Sequence, residues 1–342
     1  MQKKCRPPSI ALVGLGYWGR NILKTLRCFN LLRLVVYDND PKRLRDTVVH
    51  VPTVETAVSF TAILKDPYID AICIASPVES HIHQVKASLA AGKHVFVEKP
   101  LGRTYKEASS LIGFVRKYHK HVMVGHIYIH HPAILELKRW IASGLLGEIR
   151  WIRSTRCSLG PRIRNDVDVL WDYAIHDIYL VPFILNERVC RVRADGRSHL
   201  KQPRADWVEF SLEFENSKTV MHGFVSWLNP FKERMLMFVG SKGIAVFDEL
   251  RHPCLTFYQC GFKPYSGADS WGNDRLRLFD KGKKEFSCKT DQTLSLELQH
   301  FIEHLTKRSP PHATLQDGLT TLCLLETLSS SLARNGAWIS AL

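Results

Sequence analysis

The sequence predicts an α/β chain: a doubly wound parallel sheet in its amino-terminal part, followed by an α+β domain built on a large, mostly antiparallel open sheet. Three observations carry that prediction. An apolar strand runs directly into Gly14-Leu15-Gly16-Tyr17-Trp18-Gly19, short apolar runs alternate with helical segments as far as Gly125, and beyond it strand-like segments follow one another across short turns. At 342 residues the chain exceeds the size at which single cores stop growing, and its 45% hydrophobic content fills two, read as domains 1–126 and 127–342.

In order, Ser9–Val13 is the first strand and Arg20–Phe29 the helix after the glycines. Gly14 permits a tight turn, Gly16 lets backbone approach a pyrophosphate, Gly19 lets helix pack on strand, and the helix amino terminus offers N–H groups to phosphate. A second strand, Leu34–Tyr37, ends in Asp38, spaced to accept hydrogen bonds from ribose hydroxyls and to repel a 2′-phosphate. That favours NAD over NADP, although Lys42 and Arg43 follow closely. Next come a strand from Asp70 to Ala75 ending in Ser76-Pro77, a helix from His81 to Ala91 stopped by Gly92, and the strand His94–Val97 leading into Glu98-Lys99-Pro100. Lys99 therefore sits at the carboxyl edge of a parallel sheet, where ligands bind. A helix over Tyr105–His119 and a strand over His121–Gly125 complete the first domain. In the second, a helix over Pro132–Ser143 precedes strands at Ile149–Cys157, Cys190–Gly196, Ala205–Phe214, Thr219–Trp227, Arg234–Val239 and Gly243–Phe247. Gly261–Asp274 reads as a long loop, and helices at Leu294–Lys307 and Leu315–Arg334 close the chain, the last free to pack back on the first domain.

The formal net charge is +14, but the cations are dispersed, without a Lys/Arg block or a nucleic-acid motif, so a small polyphosphate-bearing substrate fits better than nucleic acid. No run approaches a membrane span, and Pro7-Pro8 stands where a secretory signal would be apolar, which makes the protein cytoplasmic. Nine cysteines without a C-x-x-C pair read as reduced thiols, and no metal is expected. His126, His130 and His131 show no regular ligand spacing; His126 and Tyr128 are expected to line a pocket.

Gly14 to Gly19, Ser76-Pro77 with His81, Glu98-Lys99-Pro100, and Asp172 with His176 in Trp-Asp-Tyr-Ala-Ile-His-Asp follow in an order that resembles the glucose-fructose oxidoreductase and inositol dehydrogenase family (Gfo/Idh/MocA). The resemblance spans nearly the whole chain. It implies NAD(P)-dependent oxidation of a sugar-like alcohol, an open sheet that serves as an oligomer interface, and a homodimer or homotetramer. The family's lysine falls on Lys99, its acid and histidine on Asp172 and His176. Cofactor contacts are expected from Gly14, Gly16, Tyr17, Trp18, Gly19, Asp38, Ser76, Pro77, His81, Glu98 and Lys99. Substrate contacts are expected from His126, Tyr128, Arg156, Arg162, Arg164, Asn165, Asp172, Tyr173 and His176.

The chemistry agrees with that mapping. Asp172 and His176 are spaced i, i+4, one helical turn apart on one face. Hydride removal from a carbinol requires its hydroxyl to lose a proton, a task that suits a neutral histidine, while a lysine stabilises the developing alkoxide. His176 is thus the expected base, Lys99 the alkoxide stabiliser and Asp172 the orienting acid. Arg162, Arg164 and Asn165 precede the catalytic helix, where arginines can grip a diphosphate. Within the family, the segments Leu159–Asp166 and Trp227–Lys232 are most similar to members acting on nucleotide-linked sugars. That similarity implies oxidation of UDP-N-acetylglucosamine at C3, coupled to an aminotransferase that makes a 2,3-diamino sugar for lipid A. Another nucleotide sugar, a sugar acid or a polyol such as inositol is the alternative substrate. A non-catalytic NAD-binding sensor or scaffold is the alternative of a different class.

Overall fold

The computed structural model describes residues 6–159, 167–200, 204–268, 274–289, 292–307 and 312–341. Two compact units form, Met1–His130 with Asp291–Cys323, and His131–Thr290 with Leu324–Leu342.

The first unit holds a six-stranded parallel sheet of β1 (Ser9–Val13), β2 (Arg33–Tyr37), β3 (Glu55–Thr56), β4 (Ala71–Ile74), β5 (His94–Glu98) and β6 (Val122–Gly125), in the spatial order β3-β2-β1-β4-β5-β6. β1, β4 and β6 are buried along their whole length, which explains why their sequences are continuous apolar runs rather than alternating ones. Registers Val13↔Ile74, Ile74↔Val97 and Val97↔Val124 bring the carboxyl ends of β1, β4, β5 and β6 to one edge. The chain reverses its order between β1 and β4, so the edge there is the natural ligand crevice.

Helices α1 (Tyr17–Leu26), α2 (Pro41–His50), α3 (Phe60–Lys65) and α4 (Val78–Ala90) connect the strands. Asp40 caps α2 at the amide of Lys42, and Ser59 caps α3 at that of Ala62. The helix expected over Tyr105–His119 is instead two, α5 (Tyr105–Ser109) and α6 (Leu111–Tyr118), because Ser110 closes the first with its own amide on Glu107 and opens the second. After β6 a 3₁₀ turn over Ile127–His130 leads out of the unit. The chain returns as α9 (Thr293–Lys307), which packs on α1 and on that turn, and as the start of α10 (Leu315–Ala333). Phe301 of α9 meets Phe96 of β5 with ring centroids 5.7 Å apart, both fully buried.

The second unit carries α7 (Pro132–Ala142), α8 (Ile175–Leu185) and nine strands in the order β14-β13-β12-β11-β7-β10-β9-β8-β15. These are β7 (Ile149–Cys157), β8 (Val189–Arg197), β9 (Trp207–Phe214), β10 (Val220–Ser226), β11 (Glu233–Gly240), β12 (Ile244–Asp248), β13 (Leu255–Ala268), β14 (Asp274–Phe286) and β15 (Ile339–Ser340). Among the described residues, only β7 with β10 is parallel; the other pairs are antiparallel. Alternating burial along β8 marks a sheet covered on one face.

One expectation is corrected here. Residues 261–268, read as loop from their glycine, serine and proline content, are strand: Gly261 pairs with Phe279 and Phe262 with Leu278 in the long β13–β14 hairpin. Each strand satisfies the other's backbone groups, so pairing overrides composition. A second correction concerns the single helical turn expected to carry Asp172 and His176, because Leu170–Ala174 is a π-helical turn that becomes α8 only at Ile175.

The returning α9 is integral to the core of the first unit. Phe301→Ala is expected to lower unfolding free energy by about 3–5 kcal/mol in denaturant titration; a loss below about 1 kcal/mol contradicts that role.

Candidate active site

The glycine turn is fixed by contact as much as by conformation. Gly14 has φ +97°, its amide donates to the carbonyl of Tyr37 at 2.9 Å, and a Cβ there would lie 2.6 Å from the carbonyl of Ala75. At Gly19 a Cβ would lie 1.9 Å from the oxygen of Gly14, so α1 packs directly on the turn. Gly16 differs: nothing lies within 4 Å of the position a Cβ would take. Gly16 also caps α1 without a side-chain bond, and the first turn carries no acid. An open glycine before uncapped helix amides is a seat for a phosphate.

Beside it lies a cavity of about 490 Å³ lined by Gly14, Gly16, Asp38, Ser76, Pro77 and neighbouring residues. Asp38 is pinned at its rim, Oδ2 accepting from the amide of Leu15 at 2.6 Å and Oδ1 from that of Asp40 at 2.8 Å. Arg43 stands 3.9 Å from the same carboxylate. Ser76 donates to Gln84 at 2.6 Å, which sets the far wall. An open phosphate seat and an acid at the second strand's end fit a dinucleotide with free ribose hydroxyls.

Other expected cofactor residues take different places. Tyr17 is exposed, and the Trp18 indole donates to Glu98. His81 is buried behind the edge, Nδ1 2.9 Å from the carbonyl of Pro100 and Nε2 2.9 Å from that of Ser76, so that its single N–H in the neutral form donates to one of them, and it is not among the residues that line the cavity. Burial holds its pKa below the usual histidine value.

Lys99 follows β5, one strand beyond β4 at the same edge. Glu98 and Gly125 are register partners, so His126 comes next to Lys99. Burial, and then the Lys99 charge, push the His126 pKa down to about 3; the ring is neutral at any physiological pH. Glu98 occupies the space above Gly125, where a Cβ would lie 3.2 Å from its carboxyl group. Burial pushes the Glu98 carboxyl up, and does the same to Glu297 of α9, which also feels the Glu98 charge. Glu297 is fully enclosed, and neither of its oxygens has a hydrogen-bond partner among the described residues. Sequence reading missed it, since an acid among leucines in a late helix gives no sign that it lies under the Lys99 edge.

In the second unit the π turn presents Asp172, whose Oδ2 accepts from the Trp227 indole at 3.2 Å. Asp168 caps the turn at the amide of Trp171. Tyr173 shares a hydrogen bond with Ser158 at 2.9 Å and lies under the Arg234 guanidinium, 4.8 Å from its ring centroid. His176, half-buried, stands in the first turn of α8. Arg156, expected at the substrate, has another task. It is buried and grips Asp177 with Nη2 to Oδ1 at 2.7 Å and Nε to Oδ2 at 3.2 Å, and Ser154 donates to the same carboxylate at 2.5 Å. Its place on the inward face of β7 explains this: the pair ties the strand to the residue beside His176. Arg162, Arg164 and Asn165 lie outside the described residues. Among those described, no group of three His, Cys, Asp or Glu side chains is arranged to hold a metal ion, and no helix is long and apolar enough to cross a membrane.

Comparison with known proteins adds to this geometry. The family model described as "Oxidoreductase family, NAD-binding Rossmann fold" (Gfo/Idh/MocA) matches residues 9–126, and the model of the carboxyl-terminal domain of the same family matches 134–246. The uncharacterised oxidoreductase YrbE of Bacillus subtilis is 29% identical over 281 residues, 79% of this chain and 78% of its own. The UDP-N-acetylglucosamine 3-dehydrogenase of Acidithiobacillus ferrooxidans is 27% identical over 185 residues, 54% of this chain and 56% of its own. The crystal structure of an inositol dehydrogenase homologue from Azotobacter vinelandii, complexed with NADH and myo-inositol, superposes with a TM-score of 0.79 at 21% identity, covering 99% of both chains.

The buried histidines also set a pH dependence. Burial, reinforced by His300 and His312, pushes His130 down to about 3, so the folded chain excludes a proton that the unfolded chain takes up near pH 6.5. The stability contributed is fully present above that pH and is lost as pH falls towards 3. His130→Gln is expected to flatten the acid-side decline in unfolding free energy by up to about 1.4 kcal/mol per pH unit; an unchanged slope between pH 6 and 4 contradicts the assignment.

Proposed function

The chain belongs to the Gfo/Idh/MocA oxidoreductase family, and from that premise we propose that it oxidises the C3 hydroxyl of UDP-N-acetylglucosamine to a 3-keto sugar with NAD. The observation that carries the dehydrogenase reading is Lys99 at the carboxyl end of β5, on the edge that also bears the glycine turn, with neutral His126 beside it. NAD, when bound, supplies the acceptor for a hydride from the carbinol carbon. Lys99 donates a hydrogen bond to the hydroxyl oxygen and stabilises its negative charge as the proton leaves. His176 takes that proton, and Asp172, held by the Trp227 indole, orients substrate or histidine. Arg156 is a positioning residue here, acting through Asp177 on the first turn of α8.

The nucleotide-sugar part rests on the similarity to the Acidithiobacillus enzyme and on the excess of 47 Lys and Arg over 33 Asp and Glu. Arg162, Arg164 and Asn165 are the proposed diphosphate contacts. Binding energy spent on the diphosphate, remote from C3, would hold the C3 hydrogen in place for transfer. The ketone is less stable than the alcohol, so an aminotransferase that consumes it would draw the reaction forward, as for a 2,3-diamino sugar of lipid A. In this reading the enzyme is cytoplasmic and homo-oligomeric.

NADH absorbance is expected to rise with UDP-N-acetylglucosamine, and further when an aminotransferase and glutamate are added, while free N-acetylglucosamine reacts very poorly. Reduction with myo-inositol but with no UDP-sugar would replace the substrate and keep the dehydrogenase. Lys99→Ala and His176→Ala are each expected to lower turnover by about two to four powers of ten with cofactor affinity retained. Near-normal turnover in either variant removes that residue from the mechanism.

A further inference from the structure

At the open end of the β13–β14 hairpin two thiols meet. Cys254 directly precedes β13 and Cys288 follows β14 by two residues, and their sulfurs stand 3.4 Å apart, 34 residues apart in sequence. Leu255↔Phe286 is the last rung of the ladder, so the pair lies just beyond it, with the Cys254 sulfur also 3.9 Å from the carbonyl of Phe286. The two thiols differ in access. Cys254 is buried at 1% exposure, whereas Cys288 is half-buried and reachable from solvent. Cys254 is held from behind, its carbonyl accepting from the amide of Asp248 at 2.8 Å. β14 is the edge strand of the nine-stranded sheet and pairs only with β13.

We infer that Cys254 and Cys288 form a peroxide-oxidisable dithiol, a modification site whose disulfide fastens the edge strand to the body of the sheet. A bridge between them needs the sulfurs to close from 3.4 Å to about 2.05 Å, a small movement for two side chains already in contact just beyond the last rung. Cys288 loses its proton to solvent and, as thiolate, attacks one oxygen of hydrogen peroxide: an S–O bond forms, the O–O bond breaks, and the departing hydroxide takes up a proton from solvent and leaves as water, giving a sulfenic acid. The Cys254 sulfur then attacks the Cys288 sulfur as its proton leaves. An S–S bond forms, the S–O bond breaks, and the hydroxide departs with that proton as a second water. Two thiols have lost two electrons and one peroxide has gained them. Burial and the neighbouring Cys288 push the Cys254 thiol up to about 11, which assigns the first attack to Cys288 and the resolving step to Cys254. A disulfide formed this way in a reducing compartment is transient and reversible, and the body of the sheet supplies the fixed partner.

The test uses the reduced full-length protein, exposed to hydrogen peroxide, capped with iodoacetamide, digested and mapped by mass spectrometry. The expected product is one cross-linked peptide pair containing Cys254 and Cys288, abolished by reductant, with amide exchange in β14 slowed in the oxidised protein. Cys254→Ser should leave Cys288 as a sulfenic acid that dimedone traps. Cys288→Ser should give no cross-link and leave Cys254 unoxidised. Recovery of both cysteines in alkylated form while another cysteine is oxidised overturns the proposal. So does oxidation of Cys254 that is undiminished in Cys288→Ser, or a cross-link that leaves β14 exchange unchanged.

Discussion

Backbone-to-backbone contact between the turn after β1 and the end of β4 governs the first unit. A Cβ at Gly14 would overlap Ala75, and one at Gly19 would overlap Gly14 itself, so helix, turn and neighbouring strand are stacked without side chains between them. That closeness aligns the ends of β1 and β4 at the crevice and leaves Gly16 open, at a helix start that its own cap residue does not cover with a side-chain bond. Asp38 fastens the arrangement from the next strand by accepting from the amide of Leu15. The carboxylate proposed for the ribose therefore also holds the turn in shape.

A comparable economy appears in the second unit. Arg156 and Asp177 are both almost completely buried, and such a pair costs solvation that only good geometry returns. Two guanidinium bonds and the Ser154 hydroxyl supply that geometry. What it secures is direction: β7 is fixed to the residue following His176, while Asp172 is held independently through Trp227. Asp172 is thus held from the residue just past β10 and Asp177, beside His176, from β7, and the π turn lets acid and histidine be presented within a few residues.

Much of this was legible in the sequence where local chemistry and tertiary need coincide. β1 and β7 have the boundaries read from their apolar patterns, and the glycines, Asp38 and Lys99 fall at strand ends because turns and sheet edges demand particular residues. The failures share a different cause. Residues 261–268 became strand through a partner that composition does not reveal, and Arg156 was drawn inward by Asp177 across 21 residues. His81, expected at the cofactor, is packed between the carbonyls of Ser76 and Pro100, a placement that exists only once β4 and β5 lie side by side. Glu297 was invisible for the same reason. Long-range partners decide these positions, and a linear pattern carries no record of them.

The discontinuity of the first unit has a consequence for how the chain is made. Phe96 waits for Phe301, Val124 for the carbonyl of Ala313 and the space beside Leu101 for Gly318, and all three late partners are synthesised after residue 290. During translation the six strands of the cofactor unit leave the ribosome early but lack part of their wall until the whole intervening sheet has been added. A nascent chain halted near residue 130 exposes the apolar surface that α9 later covers, so the unit that is begun first stays incomplete until nearly the whole chain has been made.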